Sequence, residues 1–415
     1  MAKASDESEI EQARVGVDAY YSWMTGALEA MEQNLPAIIE AADKAAEQYV
    51  QEGWEIFASG DFGVVAEAVG RAGGIMRFRW GSPIRDYVKG EGKRVVLVAL
   101  RDDHYDQYLQ QARDRLEGDH SFVVLMGSKA LLERAAADDF PMDAAFENQA
   151  AEGEGLFSAP DGRHLVATSP VASMAALWVW TAEFVAACTR RGEMPLMHMS
   201  YAIPGARERA ESLKGMRMEE SAPPPVAAGV LGQAFLRETR ANLERFYQAE
   251  RDHLAQASVL AHQTSESGEK VYAFLHGHAI VMDQLTHPGT PGYFTQLNSD
   301  WFKQRRNIEL QENDFVLCIG YAERFHDGEY EKWDEGAREA GAQLVWSFAD
   351  YNPEQVEAVR DAGELWINQH WEYGDAVVEI PGFDFKLFPT SGVIAQAVLR
   401  MVEAGIYALN NPESL

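Results

Sequence analysis

Cysteine is scarce in this sequence. Among the 415 residues only Cys188 and Cys318 are present, and each lies inside an apolar run. Two isolated cysteines can build neither a disulfide framework nor a cysteine-ligated zinc site. The sequence therefore predicts a protein of a reducing compartment, and we expect a cytoplasmic location.

Basic residues are also few compared with acidic ones. The chain has 36 Lys and Arg against 65 Asp and Glu, which gives a formal net charge of −29. Such a charge repels the phosphates of nucleic acids and an anionic membrane surface. We expect neither nucleic acid nor membrane as a partner, and we interpret the excess acid as a solvated surface.

We expect neither an export signal nor a membrane span. The N-terminal residues MAKASDESEIEQARVG have no apolar signal core. The most apolar stretch, at 165–188, contains Thr168, Ser169, Pro170 and Glu183. A buried helix explains this stretch better than a membrane span does.

The chain contains one sequence pattern twice. LVATSPVASMAAL at 165–177 and LFPTSGVIAQAVL at 387–399 are 222 residues apart. Each joins a strand-like end to Thr-Ser and an apolar helical run. Two other strand pairs recur in the same order with similar spacing, at 54–63 and 271–279 and at 94–103 and 314–323. The repetition predicts an internal duplication.

The same pattern predicts the fold class. The strand-like runs are continuously apolar, which is typical of parallel strands buried on both faces, and they alternate with helices. We therefore expect two tandem doubly wound parallel-sheet α/β domains, each of three layers and related by duplication. The Pro-rich stretch MEESAPPPVAAG indicates an extended linker between them. The predicted division is a helical extension at 1–29, a first domain at 30–217, a linker at 218–229 and a second domain at 230–415.

Candidate binding residues follow from this fold class. In an open parallel sheet, ligands bind outside the carboxyl ends of the strands. This rule selects the loops after the predicted strands. The candidates in these loops are Gly60, Asp61 and Arg101 in the first half, and Gly277, Glu323, Arg324 and His326 in the second.

The repeated Thr-Ser pairs are further binding candidates. They are Thr168-Ser169 and Thr390-Ser391, and each precedes a predicted helix. The serine hydroxyls are expected to cap free backbone amides, with Pro170 at the first helical position. The free N–H groups and the helix dipole also favour an anion, although ordinary capping explains the same residues. Both interpretations stay open.

Three side chains are candidates for catalysis. His276 and His278 flank Gly277 at a predicted strand end, where alternate residues share a face, so both could act as acid or base. Glu67 lies in the helix after the first loop, within reach of a ligand there. A solvated or paired helix acid explains Glu67 equally well. No carboxylate stands at a metal-motif spacing from these histidines, so neither a metal nor a cofactor is expected.

The segment at 38–75 resembles the opening of SIS (sugar isomerase) domains, in particular the phosphosugar-binding subgroup. The matching features are a helix, a strand, a loop with Gly60, then Glu67 and the run Arg71-Ala72-Gly73-Gly74. The segments at 190–213 and 373–399 are similar to later parts of the same family. The resemblance implies a five-stranded parallel sheet, two units paired about a pseudo-twofold axis, and binding or aldose–ketose isomerisation of phosphorylated sugars.

Two such units in one chain would supply the family's pair internally, and a homodimer of the whole chain stays open. The family's hydroxyl-rich phosphate loop after the second strand is replaced here by ALRDDHYD at 99–106 and IGYAERFHDG at 319–328. We expect a sugar or sugar phosphate to bind between the domains. Isomerisation is the expected reaction, with Glu67, His276 or His278 moving a proton between C1 and C2. The alternative is a non-catalytic regulatory or structural module that acts through protein contacts.

Overall fold

A computed structural model describes most of the chain. The described residues are 7–80, 93–116, 121–201, 203–275, 287, 289–297, 309–321, 335–351 and 353–413. Six predicted site residues lie outside these ranges: His276, Gly277, His278, Glu323, Arg324 and His326.

The elements alternate along the chain as the sequence predicts. The helices are α1 Glu7–Gln33, α2 Leu35–Gln51, α3 Phe62–Ala68, α4 Tyr105–Leu116, α5 Lys129–Ala137, α6 Ser169–Arg190, α7 Ala206–Ser212, α8 Val230–Glu266, α9 Pro353–Asp361 and α10 Ser391–Asn410. The strands are β1 Glu55–Gly60, β2 Arg79–Trp80, β3 Arg94–Ala99, β4 Ser121–Gly127, β5 Ala144–Glu147, β6 Gly155–Ser158, β7 His164–Ala167, β8 Val271–Leu275, β9 Thr295–Gln296, β10 Phe315–Ile319, β11 Gln343–Phe348, β12 Leu365–Asn368, β13 Ala376–Val378 and β14 Leu387–Pro389.

Two five-stranded sheets organise these elements. Their strand orders are β2-β1-β3-β4-β5 and β9-β8-β10-β11-β12, and all pairings within them are parallel. The two orders are the same when read by position in each half. An antiparallel hairpin, β6-β7 or β13-β14, then precedes α6 or α10. The predicted class of two tandem doubly wound α/β units is confirmed.

Backbone conformations match between the halves at particular residues. A positive φ is uncommon outside glycine, so its recurrence in the same order is informative. Three such pairs lie 221 or 222 residues apart in the sequence: Gln149 and His370, Glu154 and Asp375, and Val166 and Phe388. These pairs align the late loops of the two halves residue by residue.

The two most apolar helices, α6 and α10, lie in the core. Their length and hydropathy would suit a membrane span, yet 100% and 89% of their most apolar windows are buried inside the protein. A single hydrophobic core contains side chains from both halves. The expectation that these stretches are buried helices is confirmed.

Helix α1 packs against the second half. A Cβ on Gly16 would lie 2.0 Å from the carbonyl oxygen of Ala404 in α10, so only glycine permits this helix crossing. Polar pairs fix α1 along α8: Arg240 with Glu32 at 2.6 Å, Tyr247 with Asp18 at 2.7 Å and Gln263 with Glu9 at 2.6 Å. The helix continues past residue 29, where the predicted extension ends. The domain division itself stays a prediction.

Candidate functional site

Two buried polar clusters lie where the halves meet. Each contains side chains from both halves. The Arg71 cluster consists of Glu67, Arg71, Trp178, Tyr321, Asp375 and Ser391. The His287 cluster consists of Arg101, Asp102, Glu154, Ser169 and His287.

Arg71 reaches from the first half into the second. Its Nε donates to Oε1 of Glu67 at 3.0 Å, and its Nη1 donates to the Tyr321 hydroxyl at 3.4 Å. Its Nη2 donates to a carboxylate oxygen of Asp375 and to the hydroxyl of Ser391. Burial alone would lower the pKa of Arg71, but Asp375, Tyr321 and Glu67 raise it well above its ordinary value. The guanidinium is therefore a permanent, fully engaged cation.

Asp375 fills the helix start at which the sequence suggested an anion site. Its Oδ1 accepts the backbone N–H of Ser391, the first residue of α10, at 2.9 Å. The Tyr321 hydroxyl donates to its other oxygen. The chain's own carboxylate thus takes the place of an external anion.

Glu67 lies between the two halves but is only 1% exposed. Besides Arg71, the indole Nε1 of Trp178 donates to its Oε1 at 3.3 Å. A Cβ on Gly392 would lie 2.5 Å from the same oxygen, so α10 packs directly onto the carboxylate. Burial raises the pKa of Glu67, and the charge of Arg71 opposes that shift. These contacts make Glu67 a paired helix acid, and its catalytic role stays a prediction.

His287 occupies the corresponding place in the other cluster. Its Nδ1 accepts the backbone N–H of Gly289 at 3.0 Å, which assigns the proton of the neutral ring to Nε2. Nε2 lies 2.8 Å from the hydroxyl of Ser169. Burial, followed by the charge of Arg101, lowers the pKa of His287 well below its ordinary value. The imidazole is therefore a neutral donor.

Glu154 stands beside this imidazole. Its Oε2 lies 3.7 Å from Nε2 of His287, and its Oε1 accepts the backbone N–H of Asp102 at 3.3 Å. Burial, reinforced by the charge of Asp102, raises the pKa of Glu154 to about 8. This carboxyl group changes its protonation state near neutral pH, as a general acid or base must.

Asp61 and Gly60 border the His287 cluster next to its member Arg101. The guanidinium of Arg101 binds both carboxylate oxygens of Asp103, at 3.0 and 3.1 Å, and lies 3.6 Å from Asp61. Asp61 caps α3 by accepting the N–H of Val64. Gly60 has a φ of +98°, and a Cβ there would meet the carbonyl of Ala99 at 1.9 Å. These three residues shape the strand ends, and their ligand-binding roles stay predictions.

The prediction that the two serines cap their helices is wrong. The N-cap residues are Thr168 and Thr390, and neither makes a side-chain capping bond. Their ψ angles of −33° and −14° are helical, whereas a capping side chain requires an extended backbone. The Thr168 hydroxyl accepts the N–H of Ala151 instead, and both serine hydroxyls are directed at the other half.

Sequence reasoning did not single out Glu154, His287 or Asp375. A signal for His287 was present, because HPGT at 287–290 corresponds to RAGG at 71–74 in the opposite half. The same turn bond closes both segments, from Thr290 N–H to the His287 carbonyl and from Gly74 N–H to the Arg71 carbonyl. Among the residues that the structure describes, no group of three or more His, Cys, Asp or Glu side chains is placed to hold a metal ion.

Comparison with known proteins finds similarity to solved structures alone. No family model and no curated protein matches the chain. Each half contains the five-stranded parallel sheet described above. The C-terminal domain of glucosamine-fructose-6-phosphate aminotransferase from Francisella tularensis is similar over 94% of this chain and 96% of that one, with 9% identity and a TM-score of 0.49.

A second solved structure is a protein from Salmonella typhimurium LT2 that is provisionally named a phosphosugar isomerase. It covers 89% of this chain and 93% of its own, with 11% identity and a TM-score of 0.45. Likeness at this level carries no argument about activity, so the function has to be argued from the site.

Proposed function

We propose that this chain binds a sugar or sugar derivative at the His287 cluster and interconverts its aldose and ketose forms. The observation that carries the proposal is a carboxyl group with a pKa of about 8, that of Glu154, whose Oε2 lies 3.7 Å from Nε2 of the neutral His287 imidazole. Isomerisation needs a base whose pKa is near the working pH and a donor to the carbonyl oxygen. These two groups supply both.

The proton balance of the reaction can be written with these residues. The Glu154 carboxylate removes the proton from the carbon beside the carbonyl, while Nε2–H of His287 donates to the carbonyl oxygen. The resulting enediol is neutral, and the negative charge passes from Glu154 to the imidazolate of His287, whose Nδ1 still accepts the N–H of Gly289. Glu154 then returns its proton to the neighbouring carbon, and the hydroxyl proton of the other oxygen passes back to Nε2. Neither a metal nor a redox partner enters the balance, and the Ser169 hydroxyl orients Nε2 at 2.8 Å.

The position of the cluster suits this role. Arg101 and Asp102 follow β3 directly, at the carboxyl edge where open parallel sheets bind ligands. On its outer side the cluster continues into Asp103 and His104, whose side chains are 29% and 48% exposed. A ligand that enters from this side would exchange hydrogen bonds with side chains of both halves.

We assign the Arg71 cluster a structural role. Its arginine is bonded to two carboxylates and two hydroxyls, and its helix start already holds Asp375. We therefore expect one ligand per chain. Glu67, His276 and His278 remain alternative proton carriers, and Gly277, Glu323, Arg324 and His326 remain proposed contacts. Within this proposal the protein is cytoplasmic.

The test has two steps. Thermal unfolding is first measured with aldoses, ketoses and their 6-phosphates at millimolar concentration, because a ligand that binds the folded state raises the Tm. Any stabilising sugar is then incubated with the protein in D₂O, and NMR follows interconversion and deuterium uptake at C1 and C2. The proposal predicts a Tm rise followed by interconversion.

Two outcomes would contradict it. If none of these sugars raises the Tm and none exchanges, the sugar-binding proposal is wrong. If a sugar binds without interconversion or deuterium uptake, the non-catalytic module becomes the better function. The saturated Arg71 cluster is the observation that favours this second candidate.

A further inference from the structure

In both halves, a carboxyl group of the chain itself accepts a hydrogen bond from a backbone N–H near the C-terminal ends of the parallel strands. In the first half the N–H of Asp102 donates to Glu154 at 3.3 Å. In the second half the N–H of Ser391 donates to Asp375 at 2.9 Å. Glu154 and Asp375 are corresponding residues, 221 positions apart, and both have positive φ. The same backbone position therefore directs an internal carboxyl group at a free amide in each half.

The cation at the first edge is neutralised as well. Arg101 is buried and binds Asp103 through two hydrogen bonds, with Asp61 at 3.6 Å. The Ser128 hydroxyl, which follows β4, donates to Asp102 at 2.9 Å. Amide, guanidinium and hydroxyl are the donors that bind phosphate in proteins, and here each of them already has a carboxyl partner.

The charges at this edge of the sheet disfavour the binding of an anion. Among the described residues at the carboxyl edge of the first sheet, the carboxylates of Asp61, Asp102 and Asp103 lie around the positive charge of Arg101. A phosphate monoester carries nearly two negative charges at neutral pH and would be repelled by each carboxylate. Sugar hydroxyls, by contrast, donate hydrogen bonds that carboxylates accept.

We infer that the ligand of the His287 cluster is a neutral, unphosphorylated sugar, and that the internal carboxylates at this edge exclude phosphorylated ones. The inference rests on the proposed function and deepens it by naming the substrate class. Asp103 is the residue whose two hydrogen bonds with Arg101 keep that guanidinium from binding a phosphate.

The experiment compares neutral sugars, the same sugars as 6-phosphates, and inorganic phosphate, at matched ionic strength. With the wild-type chain we expect neutral sugars to raise the Tm and the two phosphate-containing sets to leave it unchanged. The Asp103→Asn variant removes the charge of the carboxylate that binds Arg101 through two hydrogen bonds, so it should bind inorganic phosphate at least tenfold more tightly than wild type in calorimetry. Circular dichroism checks that the variant is folded.

Asp106→Asn is the matched control. It removes the same charge three residues further along, on the exposed face of α4 where Asp106 pairs with Arg134. We expect it to bind phosphate no better than wild type. If Asp103→Asn does not fold, Asp102→Asn is measured instead, with the same expected gain.

The outcomes separate the two claims. If a 6-phosphate raises the wild-type Tm more than its neutral sugar does, the inference is wrong and the proposed function survives. If Asp103→Asn, or Asp102→Asn measured in its place, binds phosphate no more tightly than wild type, the exclusion by carboxylates is wrong. If no sugar of either kind binds, the proposed function itself fails.

Discussion

The Arg71 and His287 clusters are built on corresponding positions of the two halves and hold different chemistry. Both keep a serine as the first residue of the core helix, Ser391 or Ser169. The other positions differ: Arg71 corresponds to His287, Asp375 to Glu154, and Tyr321 to Arg101. The backbone thus places the two clusters at equivalent positions, and the side chains determine what each cluster can do.

The difference lies in whether the charges can change. Arginine beside aspartate and glutamate is a permanent ion pair, and burial makes it costly to break. In the His287 cluster, Glu154 has a pKa of about 8 and changes its protonation state near neutral pH, beside an imidazole that stays neutral. A permanent ion pair stabilises the contact between the halves, whereas a carboxyl group that titrates can do chemistry. The predictions below test this contrast.

The largest expected effect is on activity. Glu154→Gln removes the proposed base while keeping its shape and one acceptor. It should lower the rate of deuterium exchange by about 10²- to 10⁴-fold and leave the sugar-induced Tm rise in place. Asp375→Asn is the counterpart in the other cluster, and its folded fraction should exchange within about tenfold of wild type. Equal losses in both variants would contradict the division of roles.

The next effect is on stability. Arg71→Met removes the cation from two buried carboxylates and should cost about 3–5 kcal/mol of unfolding free energy in urea titrations. His287→Gln removes a neutral hydrogen-bonding ring and should cost about 1–3 kcal/mol. If the histidine variant is the less stable of the two, the structural role of the Arg71 cluster is wrong.

A third prediction concerns the helix that joins the halves. Gly16→Ala places a methyl group 2.0 Å from the carbonyl oxygen of Ala404 and should destabilise the protein by about 2–4 kcal/mol. Gly26→Ala is the matched control in the same helix, because nothing lies within 4 Å of its Cβ position. That change should stabilise the protein by up to about 1 kcal/mol. A similar loss in both variants would show that the helix crossing is not tight.

A fourth prediction concerns how stability changes with pH. The pKa of Glu154 is raised in the folded state, so between its ordinary value and about 8 the folded protein holds a proton that the unfolded chain lacks. Its contribution to stability is therefore lost as pH rises through this window. Glu154→Gln should have a flatter stability curve between pH 5 and 9 than wild type, measured by urea unfolding at constant ionic strength. Parallel curves would remove the support for Glu154 as the base.

The fold could be predicted because it depends on local patterns. Apolar runs, helix periodicity and the repeated Thr-Ser segments mark the strands and helices of both halves without reference to distant contacts. The parallel pairing follows from strands buried on both faces. These signals survive in a single sequence.

The site could be predicted only in part, since its decisive contacts are long-range. Arg71 and Asp375 meet across 304 residues of sequence, and no local pattern records that meeting. The positive φ of Glu154 and Asp375 directs their side chains, and a propensity scale assigns neither residue that conformation. The capping prediction failed for a related reason, because the backbone at Thr168 and Thr390 is helical.

The packing of α1 against α10 determines when the protein can finish folding. Gln12 donates to the carbonyl of Ala408, which joins residues 396 apart, so α1 completes its packing only after α10 has been made. At ordinary rates of synthesis this partner arrives roughly 20–80 seconds later. The side of α1 that packs on α10 stays uncovered during this interval, whereas its polar pairs with α8 can form earlier.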